Sequence, residues 1–436
     1  YHRFPKGGQG MKELRDPQLD ERAVTATLSN GLPVCVVPKP GFAKKCAYFV
    51  TNYGSIDTKF TWMGREYDTP AGVAHYLEHK MFEMPDRDVM QEFSALGANP
   101  NAFTSYAMTA YYFTCTEQFE ACLELLLTFV STPYFTAESV ERERGIIGQE
   151  IRMYEDSADS RVYEDLFAAM YRHHPVRVPI AGTVESIQAI TPEILQSCYD
   201  AFYHPANMML CVVGDVDPEQ VISMAERILP RERRPLPQRD YGPAEAPGCT
   251  TPCTRRQMDV AMPTFQLGFP CPWPGFGPAG ARQELVGDLA AEALMGESSR
   301  LYLELYQAGL IDASFAAGYE DVPGIALLSC GGDSRNPEAV RDAICAEARR
   351  LGTQGVEDEL FRRLKKSALG RRVRGLDSFD STCFRLCQAH FSGTDFWTFP
   401  AEYDAVTKEE VEAFLRQTVR EDRCTISVVL PRQQEV

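Results

Sequence analysis

Gly72-Val73-Ala74-His75-Tyr76-Leu77-Glu78-His79-Lys80 is the stretch whose reading organises the rest of the chain. Val73, Ala74, Leu77, Met81 and Phe82 surround its polar residues with apolar ones, which predicts a buried helix. On a helix His75 and His79 stand one turn apart on one face, with Glu78 close beside them. Two imidazoles so spaced can grip one divalent metal, and the carboxylate can take a proton from a metal-bound water. Taken alone, this spacing is more often a solvated helix face. Three features count against that here: the helix is apolar, buried His and Glu need partners, and only seven histidines occur in the chain.

A third ligand follows downstream. Residues 138–154 read as an amphipathic helix with Val140, Ile147 and Ile151 on its apolar stripe. Glu143 and Glu150 lie two turns apart and share a face. His75, His79 and Glu150 make a His2Glu set that leaves one position for water, the arrangement of catalytic zinc. Glu143 is then an outer residue that orients a ligand or bridges through water. Its alternative is a surface ion pair with Arg142 or Arg144. The order H-x-x-E-H reverses H-E-x-x-H and marks the inverzincins. One Zn2+ per chain is expected.

On these residues the chain resembles the pitrilysin family of zinc metallopeptidases, which includes the mitochondrial processing peptidases. The resemblance rests on H-x-x-E-H, on Glu143 and Glu150, on residues 97–105 followed by Thr109-Ala110-Tyr111, and on residues 202–215. It is dense from Val50 to Asp215 and thinner beyond, and it is greatest to bacterial YmfH-type chains. It implies an α/β (α+β) fold of two duplicated domains, each a mixed β-sheet with helices packed on one side. It also implies a zinc endopeptidase with Glu78 as general base and Glu143 as a second catalytic-site residue. Asn101, Ala102, Phe103 and Thr104 would form an edge strand that meets the substrate backbone. Without the resemblance, Asn101-Ala102 reads as a turn into an ordinary strand.

The chain departs from the family in one respect. Members carry an Arg and a Tyr seven residues apart in the second half, which stabilise the oxyanion. Here Tyr306 and Asp312 fall at or near those places, and Arg300 and Tyr302 have the wrong spacing. Arg300 belongs instead to a structural Ser-Ser-Arg helix. The departure implies a heterodimer in which a related subunit supplies the pair, with a homodimer as runner-up. Peptides or unfolded segments would be cut in an enclosed chamber. The rivals are a non-catalytic peptide-presenting subunit, which the intact ligand set opposes, and a zinc amidase, which the edge strand opposes.

The 436 residues call for two to three domains. Residues 11–232 read as the metal-binding domain and 251–436 as its metal-free homologue. Residues 233–250, rich in Pro, Gly and charge, read as the linker. In the second half Phe265–Phe269 reads as a strand, 283–296 as the counterpart of the metal helix, and 424–430 as the counterpart of the strand at 208–214. A net charge of −17 disfavours nucleic acid and anionic membrane as partners. The 14 cysteines show no C-x2-C pair, which disfavours a zinc ribbon and suggests a reducing, cytoplasmic setting. No signal peptide or membrane span is read. Met11 reads as the native start.

Overall fold

The computed structural model describes residues 11–16, 19–245, 248 and 251–432. The segment 1–10 and residues 246–247 and 249–250 of the expected linker lie outside them. Seven strands form the first sheet: β1 (Lys12–Asp16), β2 (Glu21–Thr27), β3 (Pro33–Pro38), β4 (Lys45–Thr51), β5 (Asn99–Thr104), β6 (Thr109–Cys115) and β7 (Met208–Gly214). Their order is β1-β2-β3-β7-β4-β6-β5, with β7 parallel to β3 and every other neighbour antiparallel. Five strands form the second sheet: β8 (Cys253–Met258), β9 (Thr264–Cys271), β10 (Ala316–Val322), β11 (Ile325–Asp333) and β12 (Thr425–Pro431). Their order is β8-β12-β9-β11-β10. Without β1 and β2, the two sheets share one topology: the last strand runs parallel to the first and antiparallel to the second.

The helices repeat as well. After β4 comes the helix Val73–Met81, and after β9 comes Pro278–Met295. Ala137–Glu155 has its counterpart in Asp358–Arg374, and Ala158–Met170 in Phe379–Ser392. Pro192–Phe202 begins where the sequence marks it, with Thr191 accepting from the Ile194 amide and Pro192 in the first turn. Duplication is thus plain in the topology where the sequence only hints at it.

Each sheet lays its own helices on one face, as expected. In the first half these helices pack on Val34, Val36, Phe49, Tyr111, Phe113 and Leu210. The opposite face is covered by a helix from the other half, a feature no local pattern announces. Phe379–Ser392 of the second half lies on the first sheet, where Cys383 Sγ is 3.8 Å from the Cys211 carbonyl oxygen and Lys44 pairs with Asp380 at 2.8 Å. In return Ala158–Met170 lies on the second sheet. Arg256 bonds Asp165 through two 2.8 Å hydrogen bonds, and Tyr163 donates to Glu320 at 2.5 Å. Gly268 makes that seat possible, because a Cβ there would sit 2.5 Å from Met170 Sδ.

The expected linker is tied down in part. Arg239 and Tyr241 each bond buried Asp57 at 3.0 Å, and Trp62 Nε1 donates to the Pro235 carbonyl at 2.9 Å. None of the cysteines among the described residues is in a disulfide. No helix among them is long and apolar enough to cross a membrane.

The face of the first sheet that meets Phe379–Ser392 buries Val37, Tyr48, Val50, Met209 and Val213. At about 1.5–3 kcal/mol per large apolar side chain, these five represent roughly 7–15 kcal/mol of burial. That equals the whole stability of an ordinary domain, about 5–15 kcal/mol. A fragment ending at residue 245 should therefore bind a hydrophobic dye and melt without a cooperative transition. The full chain should melt as one unit. A fragment that melts cooperatively would show that the exchanged helices are dispensable.

Candidate metal centre

The helix Val73–Met81 starts at Gly72, whose φ of 95° is left-handed. A Cβ there would lie 2.5 Å from the Ala181 carbonyl oxygen, so only glycine lets the helix begin tucked beneath the 181–182 turn. The helix buries Val73, Ala74, Tyr76, Leu77 and Met81, which turns His75 and His79 toward the helix Ala137–Glu155. Their Nε2 atoms lie 3.7 Å and 3.3 Å from Glu150 Oε2. The three donor atoms fall within 4.8 Å of one another, and among the described residues they form the one such group of His, Cys, Asp and Glu.

This set fits a zinc ion. Bonds of about 2.0–2.2 Å in a tetrahedral array place ligand atoms about 3.3–3.5 Å apart. Here the approach of both imidazoles to one carboxylate oxygen is already near that spacing. The outer contacts point the same way. His79 Nδ1 donates to Glu143 Oε1 at 2.9 Å, so once Nε2 gives up its proton to a metal its lone pair faces the other ligands. Arg142 pairs with Glu83 and Arg144 with Glu141, so neither takes Glu143 into a surface ion pair. His75 Nδ1 is buried without a hydrogen-bond partner among the described residues.

The other expected residues fall into two groups. Glu78 accepts a 2.6 Å hydrogen bond from Thr104 Oγ1, so the end of β5 is joined directly to the metal helix. Among the described residues β5 ends its sheet and pairs only with β6. The Ala102 amide on it is met at 2.9 Å by the side-chain oxygen of Asn101. Phe103 turns the other way, its ring 5.8 Å from that of Phe384 on the exchanged helix. Any contact of Phe103 with a ligand on the open edge is therefore through its main chain. One residue escaped the sequence reading. Tyr154 donates to Glu150 Oε1 at 2.8 Å, and its spacing of four from Glu150 was the available signal.

The second half answers this site with different chemistry. At the corresponding place, beside β10, Asp288 and Glu292 take the i, i+4 positions on Pro278–Met295. Arg371 from Asp358–Arg374 pairs with Glu292 at 2.7 Å, and Arg372 and Arg385 line the same cleft. An ion pair occupies the place that the metal ligands hold in the first half.

Two family models match the chain: the insulinase or M16 peptidase model over residues 62–184, and the M16 inactive-domain model over 189–368. The uncharacterized zinc protease YmfH of Bacillus subtilis is 37% identical, covering 97% of this chain and 100% of that one. An uncharacterized zinc protease of Mycobacterium leprae is 26% identical over 95% of this chain and 93% of its own. A crystal structure described as an M16-like peptidase of Alicyclobacillus acidocaldarius superposes with a TM-score of 0.91. It is 35% identical and covers 96% of this chain and 99% of that one. A Helicobacter pylori protease shares the fold alone, at 18% identity and a TM-score of 0.81 over 94% of this chain and 100% of its own.

The electrostatics give a measurable consequence. Burial opposes a charge on His79, but the hydrogen bonds of Glu143 and Glu150 outweigh it and push its pKa up to about 10. The close approach of the His75 and His79 imidazoles holds Glu150 well below the usual carboxylate range. At pH 7 the metal-free site therefore keeps a proton on His79, and a metal must displace it. Below pH 10 the apparent metal affinity should rise roughly tenfold per pH unit from this group. Calorimetric zinc titrations in buffers of different ionisation enthalpy should report the released proton. Heats independent of the buffer would contradict the assignment. Glu143→Gln should lower the proton count and weaken zinc by roughly 10–100-fold.

Proposed function

The chain belongs to peptidase family M16, the insulinase or pitrilysin type of zinc protease, and from that premise we propose a one-zinc endopeptidase for extended peptides. The observation that carries this is the convergence of His75, His79 and Glu150 beside a Glu78 held at the end of an open sheet edge. Held by His75, His79 and Glu150, zinc would lower the pKa of a water and polarise the scissile carbonyl.

The protein's residues do the rest. A substrate lies along β5 as an added strand, bonded through main-chain groups. Asn101 moves off the Ala102 amide, which then donates to the substrate carbonyl. Glu78 takes the proton of the attacking water and passes it to the leaving amine. Thr104 holds the Glu78 carboxylate at the strand end, so the base is set by the element that aligns the peptide.

The oxyanion is left without its partners in this chain. Arg300 is bound to Glu304 at 2.7 Å, and Tyr302 stacks on Tyr306. Asp312 accepts from Ser314 at the place where the family carries its tyrosine. We therefore assign this chain the metal-bearing role in a heterodimer, with an Arg/Tyr pair supplied by a related subunit. The enclosed chamber so formed would admit peptides and unfolded segments.

The test is a library of unstructured peptides, zinc-loaded protein and mass spectrometry. The chain alone should cut weakly or not at all, and adding a related chain that carries the Arg/Tyr pair should restore cleavage. Full activity from the chain alone would sink the heterodimer. Within the active assembly, Glu78→Gln should lower kcat by roughly 10²–10⁴-fold while zinc stays bound. An active Glu78→Gln enzyme would remove Glu78 as the base.

A further inference from the structure

Glu150 presents its two oxygens to different partners. Oε2 faces the Nε2 atoms of His75 and His79, while Oε1 accepts the Tyr154 hydroxyl at 2.8 Å. Glu150 and Tyr154 stand four apart on the same helix, Ala137–Glu155, so the pair is held by one rigid element. Tyr154 is 38% exposed as a residue, so core packing is not its main role. Its hydroxyl is committed to a carboxylate oxygen.

A carboxylate can hold zinc through one oxygen or two. In a site with three protein ligands the difference decides whether a coordination position is left for water. A hydrogen bond to one oxygen occupies one of its two lone pairs, draws charge from it and helps to fix the plane of the carboxylate. These effects favour ligation through the other oxygen alone.

We propose that Tyr154 is a positioning residue that keeps Glu150 on the metal through Oε2 alone and so keeps one coordination position open for the attacking water. The proposal rests on the metal centre assigned above and deepens it. His79 has its equivalent guide in Glu143, and Tyr154 plays the same part for the carboxylate ligand.

Crystal structures of the zinc-loaded full chain and of Tyr154→Phe test this directly. Phenylalanine keeps the ring and removes only the hydroxyl. In the native protein one Glu150 oxygen should lie at the bonding distance of about 2.0–2.2 Å, with Oε1 on Tyr154. In Tyr154→Phe both oxygens should approach the metal. In the active assembly kcat should fall about tenfold with little change in KM. One bonded Glu150 oxygen in both proteins would overturn the proposal, whatever the kinetics. The crystallographic readout needs no peptide. A protein that binds zinc as described and cuts nothing even with a related chain carrying the Arg/Tyr pair present would cost the peptidase reading and leave the role of Tyr154 standing. A protein that binds no zinc would end both.

Discussion

Each sheet of this protein has a face that its own half leaves bare, and everything else follows from how that face is covered. Phe379–Ser392 crosses to the first sheet and Ala158–Met170 crosses to the second. The crossing fixes more than the seam. Phe384 on the first of these helices backs the ring of Phe103, which holds β5 in place. The end of β5 carries Thr104, and Thr104 holds Glu78. A chain of direct contacts thus runs from the interface between halves to the carboxylate nearest the chemistry. The second half contributes to the site without contributing a ligand.

The two halves also show two solutions to one electrostatic problem. A helix packed against another helix beside an edge strand brings polar side chains out of water, and these must be compensated. In the first half two imidazoles and a carboxylate converge, with a further carboxylate behind His79. That is a set of donors that suits a dication. In the second half carboxylates sit on one helix and arginines on the other, and Glu292 and Arg371 neutralise each other directly. The same backbone frame therefore offers a set of metal donors in one half and closes itself with an ion pair in the other.

What could be seen in the sequence was what depends on short separations. His75, Glu78 and His79 declare themselves because one helical turn puts them together, and Glu143 and Glu150 because two turns do. Thr191-Pro192 marks a helix start by local chemistry alone. The duplication was faint, because the second half keeps the topology while its helices carry Asp288, Glu292 and Arg371 in place of ligands. The exchanged helices were invisible. Cys383 meeting Cys211 is a contact across 172 positions that no periodicity encodes. For the same reason Phe103 was grouped with its neighbours on β5, whereas its side chain belongs to the seam. The Pro-rich stretch at 233–250 reads as the linker, and its anchoring on Asp57 through Arg239 and Tyr241 lies beyond what local composition encodes.

Among the described residues β5 has no strand on its outer side, and that edge would shape how a reaction there ends. A peptide laid along it would be held by a series of rungs, each worth roughly 0.5–1.5 kcal/mol in water. No single rung retains the peptide; the length of the ladder does. Hydrolysis divides one long ladder into two short ones, and each fragment keeps only its own share. Contacts that retain an intact segment therefore fail to retain its pieces. Departure of the products from β5 would then be favoured by the cut itself.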